Sequence, residues 1–341
     1  MSREVRELRY TRTMPKPNPH RPFTPNSSQM ALVPDISGNM VNGLGEESFR
    51  PASKVYWSTD TTDIAHGKMQ EWFFTVDPGT DKFAKAREIR QAMLATPPTP
   101  LAETQVDRAP QDWTDALTQF VKAGDCEQIG AAEMHPDWVF EGHTIPQSRV
   151  IVAGVQHDYA EISAAPAPSA GVEVMAQYNR AMAVSFKIAN WLRSQGWAAE
   201  PVTGPMTGAL ALIPPALACG FGELGKHGSI INRAMGASFR LSAVLTDAPF
   251  APTQPDSFGV DDFCTACQIC QDACPPEALF SEKKTVRGAE KWYVDFDACL
   301  PFFNEHQGCA ICIAVCPWSR PGVGPNLAAK LARRADRLAE G

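Results

Sequence analysis

FCTACQICQDACPP, residues 263–276, sets four cysteines within eleven positions and follows the last with prolines. Downstream, Cys309, Cys312, Cys316 and Pro317 repeat the CxxCxxxCP ending, and Cys299 stands ten residues before Cys309. Eight of the ten cysteines thus fall within the 53 residues from 264 to 316. Dense cysteines in a small exported protein would read as disulfides, but the opening stretch, MSREVRELRYTRTMPKPNPHRP, lacks the apolar core of an export signal. Metal ligation is the better reading, and Cys126 and Cys219, apart from the group, read as small buried hydrophobes.

The first run has the spacing of bacterial ferredoxins, in which the cysteine beside the proline crosses to the neighbouring cluster. The expectation is therefore two [4Fe–4S] clusters. One is assigned to Cys264, Cys267, Cys270 and Cys316, and the other to Cys274, Cys299, Cys309 and Cys312. Soft thiolates also suit zinc, but two zinc ribbons would not require the CP endings or the three-cysteine loop.

The rest of the chain bounds the function class. At 341 residues and 44% hydrophobic content it can bury one large core or two smaller ones. A net charge of −7 without a lysine or arginine run argues against nucleic acid as a partner. No window approaches the roughly 18 to 20 apolar residues of a membrane span, and the expected location is the cytoplasm. GFGELGKHG (220–228) lacks the spacing of a dinucleotide fingerprint, and no Walker loop, HExxH or GxSxG occurs.

Four regions are expected: an extended arm over 1–70, a mixed α/β (α+β) region over 71–252, the cysteine region over 253–320 and an amphipathic tail helix over 321–341. Helical periodicity appears at 82–96, at 112–123 and at 172–195. In the last, Met175, Tyr178, Met182, Phe186, Ala189 and Leu192 share one face, read as core-facing, and Gly196 ends it. RVIVAGV (149–155) and RLSAVLTDAPF (240–250) read as strands.

CGFGELGKHGSIINRAMGASFRLSAVLTDAPF followed by FGVDDFCTACQICQDACPPEALF resembles the C-terminal half of the cobalamin-dependent reductive dehalogenases. The glycine-rich GLGE-type turn, the arginine before a TDxPL-like strand, the FCxxCxxCxxxCP run and the separated Cys299 occur in that family's order, with Trp292 between the cysteine sets. The likeness covers roughly 145–318. It implies a nitroreductase-like cobalamin-binding domain followed by a two-cluster ferredoxin-like domain, and reductive removal of halide from an organohalide. The DxHxxG run that would give cobalt a histidine is missing, so the corrinoid is expected base-off without a lower protein ligand.

The resemblance also implies a proton donor, a tyrosine on the helix before the glycine-rich turn, and a Lys or Arg about sixty residues later that stabilises its phenolate. Tyr178 and Arg240, 62 residues apart, match those places, although an ordinary core tyrosine and a surface arginine would look the same. Lys187 and Arg180 are rival cations and Tyr159 a rival phenol. Gly220, Gly222, Gly225 and His227 are candidate cofactor contacts, since glycines let backbone amides approach phosphate; a simple tight turn with a solvent-facing histidine is the alternative. Asn304 and His306, between Cys299 and Cys309, are candidates for lining the site or tuning a cluster.

Family members that respire halides carry a twin-arginine signal and a membrane anchor, so this chain looks like the cytoplasmic catabolic type with an external donor of the ferredoxin or flavodoxin kind. A homodimer is one assembly left open. Two other classes stay in view: an epoxyqueuosine reductase-like corrinoid enzyme acting on tRNA, and a non-catalytic iron–sulfur electron carrier.

Overall fold

A strand that is apolar at every position is stable only where both of its faces are covered. RVIVAGV is such a run, and in the computed structural model, which describes residues 18–121 and 124–339, it lies within a strand at the centre of the sheet. In chain order the strands are β1 (Gln128–Glu133), β2 (Arg149–Gln156), β3 (Ala199–Thr203), β4 (Glu223–Leu224), β5 (Ile230–Ile231) and β6 (Phe239–Thr246). Four of them make one antiparallel sheet in the order β1-β2-β6-β3, and β4 and β5 pair separately. Ile151, Ala153 and Val155 point to one face, packing with Val184, Ile188 and Leu192 of the long helix and with Trp113 and Leu117. Val150 and Val152 point to the other, against Ala216, Phe221, Met235 and Leu245. Each fully buried Ile or Leu in these layers contributes about 1.5–3 kcal/mol by leaving water.

The long helix runs Pro168–Ser194, starting four residues before the expected stretch because Pro168 occupies its first turn, where a missing N–H costs nothing. Gly196 follows it at φ +81°, and a Cβ there would stand 2.4 Å from the Thr104 carbonyl oxygen, so no other residue suits the stop. The periodic segments at 82–96 and 112–123 become the helices Lys82–Leu94 and Pro110–Phe120; residues 122 and 123 lie outside the described residues.

The cysteine region folds as short helices, Val260–Ala266, Ile269–Ala273, Phe296–Glu305 and Ile311–Ala314, around a hairpin of β7 (Lys284–Val286) and β8 (Ala289–Lys291). The tail helix Val323–Ala339 seats Leu327, Ala328 and Leu331 against Val260 and Trp318. Residues 1–17 of the arm lie outside the described residues. From residue 18 onward it is laid along the cysteine region, and it contains two one-turn helices, Ser27–Met30 and Gly38–Val41. Arg21 donates to the Cys274 carbonyl at 2.6 Å, Gln29 to the Pro301 carbonyl at 3.1 Å, and the Tyr56 hydroxyl to Asn304 Oδ1 at 2.8 Å.

Candidate functional site

The eight clustered thiols sort into two sets by which of them feel one another's charge. Cys316 interacts with Cys264, Cys267 and Cys270. Cys312 interacts with Cys309, Cys299 and Cys274, and also with Cys270, so the two sets are neighbours. Burial is the main cause pushing Cys270, Cys299, Cys309 and Cys316 up to about 12 and Cys264 up to about 11. Thiols so placed become thiolates only when a cation compensates, and bound metal does this. Backbone N–H groups of Lys226, Ile311 and Trp318 donate to Cys264, Cys309 and Cys316. Among the described residues no three His, Cys, Asp or Glu side chains are set to hold a single metal ion. A four-iron cluster asks for a wider arrangement, because each sulfur meets a different iron. Around the second set, Gln307, Gly308, Cys309 and Ala310 all have positive φ. Such backbone strain in non-glycine residues persists only where its surroundings demand it.

A cavity of about 760 Å³ opens between the sheet domain and this second set. Cys274, Cys299, Cys309 and Cys312 lie in its wall, as do Tyr178, Arg240 and His227. The helical stripe that carries Tyr178 therefore has two destinations. Met182, Ala189 and Leu192 enter the core, whereas Met175 and Tyr178 face the cavity.

Arg240, on β6 opposite Val155, places its guanidinium carbon 5.1 Å from the centroid of the Tyr178 ring. The cation lies over the aromatic face, and the Arg240 Nε is buried without a partner. Arg240 also acts on His157, which burial first and this charge second hold well below the ordinary imidazole range. The Tyr178 ring rests on Gly204, where a Cβ would stand 2.6 Å from the ring's Cε1.

A second guanidinium, not singled out by sequence, belongs to the same group. Arg90 donates from Nη2 to the Gly204 carbonyl at 2.9 Å, and its charge is coupled to Tyr178. Burial draws the Arg90 guanidinium below its usual value, and its Nη1 is buried without a partner. The available signal was helical: Phe83, Arg87, Arg90, Gln91 and Leu94 share one helix face, and all five line the cavity.

His227 is buried, with Nδ1 accepting from the Ser229 N–H at 3.2 Å and Nε2 unpartnered. Desolvation lowers it to about 4, so the ring is neutral. Its neighbour Lys226 turns the other way, donating from Nζ to the Cys267 carbonyl at 2.9 Å. One turn thus touches both the cavity and the first thiol set. A mostly apolar cavity, an orphaned neutral imidazole nitrogen and a wall made by the second thiol set fit a large redox-active ring fed with electrons from that set.

The other candidates lie elsewhere. Gly220, Gly222 and Gly225 are not in the cavity wall; the close approach they permit is to their own chain, with the Ile231 carbonyl oxygen 2.0 Å from a Cβ built on Gly222. Asn304 is fully buried and bonded to Tyr56, Gln29 and the Met69 carbonyl, pinning the arm rather than facing the cavity. His306 stacks on Phe302 at 3.9 Å, with Nδ1 at 2.9 Å from that residue's carbonyl oxygen. Lys187 pairs with Asp125 and Arg180 with Glu127, while Tyr159 stays out of the cavity wall but packs on the same satellite cluster of Ile162, Ala170, Val174 and Ala310 as Tyr178.

Residues 263–319 match the 4Fe-4S dicluster domain. Tetrachloroethene reductive dehalogenases of Desulfitobacterium hafniense and of Dehalobacter restrictus are each 35% identical over 217 residues, covering 60% of this chain and 39% of theirs. That of Sulfurospirillum multivorans is 26% identical over 275 residues, covering 65% of this chain and 54% of its own. A solved catabolic reductive dehalogenase in complex with 3-bromo-4-hydroxybenzoic acid shares the fold, with TM-score 0.66 and 19% identity over 91% of this chain and 49% of that one. The chain spans about two fifths of the length of the first two relatives. Its sequence is similar to those of reductive dehalogenases over 217 residues and its fold is similar to that of a solved one, a likeness the cysteine runs and the glycine-rich turn led us to expect.

Proposed function

We propose that this relative of the reductive dehalogenases removes halide reductively from a small organohalide, at a base-off cobalamin supplied by two [4Fe–4S] clusters. The observation that carries the reading is one cavity whose wall holds both Tyr178 with its two guanidiniums and the second thiol set. Cobalamin, when bound, supplies the two-electron chemistry at the carbon–halogen bond. The balance is two electrons and one proton added, with the halogen leaving as halide and hydrogen taking its place on carbon.

The chain's own residues divide the remaining work. In this reading the eight thiolates hold the clusters, which pass electrons singly from a ferredoxin- or flavodoxin-type donor. Tyr178 gives the proton at its hydroxyl oxygen, and Arg240 and Arg90 hold the phenolate charge left behind. Trp57, Phe73 and Phe303 keep water from the reacting carbon, and neutral His227 offers Nε2 to the cofactor. Among the described residues no helix is long and apolar enough to cross a membrane. We place the protein in the cytoplasm, where thiols stay reduced. The test is halide release by anaerobically reconstituted protein, with cobalamin and reduced viologen. Release that needs both the corrinoid and Tyr178 supports the proposal; bound corrinoid and intact clusters with no halide release from any organohalide would overturn it.

A further inference from the structure

The tail helix Val323–Ala339 carries Lys330, Arg333, Arg334 and Arg337, a spacing that sets all four cations on one helix face. All four are exposed, and among the described residues none of them makes an ion pair. Over residues 321–341 they stand against two carboxylates, Asp336 and Glu340, so the tail is positive in a chain whose net charge is −7. The adjoining face of the helix is apolar and fixed. Leu327, Ala328 and Leu331 pack in the cluster that holds Cys264, Cys316 and Trp318, and a Cβ built on Gly259 would stand 3.6 Å from Leu331 Cδ1. The basic stripe is thus seated on the first thiol set.

That set faces outward in a way the second does not. Cys274, Cys299, Cys309 and Cys312 all line the cavity, whereas none of Cys264, Cys267, Cys270 and Cys316 does. The arm lies against the second set, with Arg21 on the Cys274 carbonyl and Phe23 edge-on to Phe302 at 4.9 Å. On the first set Cys267 is half-buried, and Gln268 and Ile269 beside it are exposed. Of the carboxylates leading into this set, Asp256 is taken by Arg233 and Asp261 by Lys283, which leaves exposed Asp262.

We propose that the basic stripe of the tail helix docks a small acidic protein that carries one electron at a time, and that this partner delivers its electrons to the first thiol set. Opposite charge steers and orients such an encounter, raising the association rate more than the final affinity. In each transfer the donor, a reduced iron–sulfur or flavin protein, loses one electron and the first cluster gains it; no bond forms or breaks. The inference rests on the reading that an external donor feeds the clusters, and it adds the docking surface and the charge of that donor. A polyanionic RNA would meet the same cations, but a stripe seated on the thiol set farther from the cavity serves a redox partner.

The test is stopped-flow bleaching of the cluster absorbance in anaerobically reconstituted protein, mixed with a reduced acidic ferredoxin or, separately, with reduced methyl viologen. With ferredoxin the second-order rate constant should fall at least about tenfold between about 20 and about 300 mM salt, as screening shortens the reach of surface charge. Lys330→Glu with Arg334→Glu cancels the stripe's net charge and leaves i,i+3 ion pairs with Arg333 and Arg337 to support the helix. That variant should lose about 10- to 100-fold of the low-salt ferredoxin rate. Its reduction by viologen, itself a cation, should be unchanged or faster, which shows clusters and fold intact. Lys330→Arg with Arg334→Lys keeps the charge and should keep the wild-type rate. Where the glutamates cost the helix, Lys330→Gln with Arg334→Gln carries the same prediction at about three- to tenfold. A ferredoxin rate that ignores salt and both charge-removing pairs overturns the proposal. So does binding of bulk tRNA that the glutamate pair abolishes while the ferredoxin rate stands, which would give the stripe to RNA. Charge-dependent cluster reduction without halide release sinks the dehalogenase reading alone. Viologen-driven halide release beside a ferredoxin rate blind to the stripe sinks this proposal alone.

Discussion

Lys226 Nζ lies 2.9 Å from the carbonyl oxygen of Cys267, and its burial is nearly complete, at 1% exposed. The ammonium is also 4.9 Å from the Trp292 ring centroid, and its charge reaches Cys264 and Cys270. A cation held among three of four proposed ligands favours the more negative, reduced state of a cluster there. Lys226→Met should therefore lower that cluster's potential by an amount on the order of 60 mV, one tenfold step for a one-electron couple. Redox titration followed by electron paramagnetic resonance reads it, and an unchanged potential in a fully loaded variant removes Lys226 from the electron path.

The grouping of thiols makes a metal-stoichiometry prediction. Wild-type protein reconstituted anaerobically should hold about eight iron and eight sulfide. Cys316→Ala should abolish the same spectroscopic cluster as Cys264→Ala, although 52 positions separate them, and Cys274→Ala the same one as Cys312→Ala. Pairing of Cys274 with Cys264 instead would refute the crossover.

His227 predicts a pH dependence of stability. Burial lowers it to about 4 from an ordinary 6.5, so between those values the unfolded chain binds a proton that the folded one refuses. Its contribution is complete above about pH 6.5 and lost as the pH falls toward 4, by roughly 3 kcal/mol in all. His157 is lowered as well, so the quantity to compare is the difference between wild type and His227→Gln. Urea midpoints at pH 7 and pH 5 should separate less in the variant than in wild type.

Gly204 predicts a steric effect on the site. A methyl group there would stand 2.6 Å from Tyr178 Cε1, forcing the ring or the backbone just after β3 to shift at about 1–3 kcal/mol, as overpacking does. Gly204→Ala should cut halide release while cluster content stays whole, and Tyr178→Phe in the same background should add little.

Much of this was legible because short-range patterns carry it. Cysteine spacing announces the two sets, RVIVAGV announces a strand buried on both faces, and Gly196 ends the long helix where the pattern stops. Periodicity names a helix face but not what that face meets, so Met175 and Tyr178 read as core although they border a cavity. Nothing in KAREIRQ marks Arg90, since the tyrosine its charge reaches is 88 residues further on and no local rule spans that distance. Trp57 reaches the wall from the arm, whose lack of period concealed how closely it is bound to the cysteine region. The glycine-rich turn suggested a phosphate cradle, while β5 fills the space left by Gly222 and Gly225, and Gln254 the space left by Gly220.

Tyr178→Phe tests the chemistry most directly. The variant loses one hydroxyl and little volume, so clusters and corrinoid should load as before. General acid catalysis contributes about 10²- to 10⁴-fold, and turnover per bound cobalamin should fall within that range. Arg240 lies over the ring face and Arg90 acts from the side of Gly204, so each should hold part of the phenolate charge. Arg240→Ala alone should then cost less than Tyr178→Phe, and adding it to Tyr178→Phe should cost almost nothing further, as for residues that work as a unit. A structural tyrosine would behave otherwise. Loss of a core hydroxyl costs about 1 kcal/mol of stability and leaves the turnover of folded enzyme nearly intact. Halide release measured beside a melting curve for each variant separates the two. Turnover above about a third of wild type in a fully loaded Tyr178→Phe, far short of the general-acid range, would take the proton donor away from Tyr178.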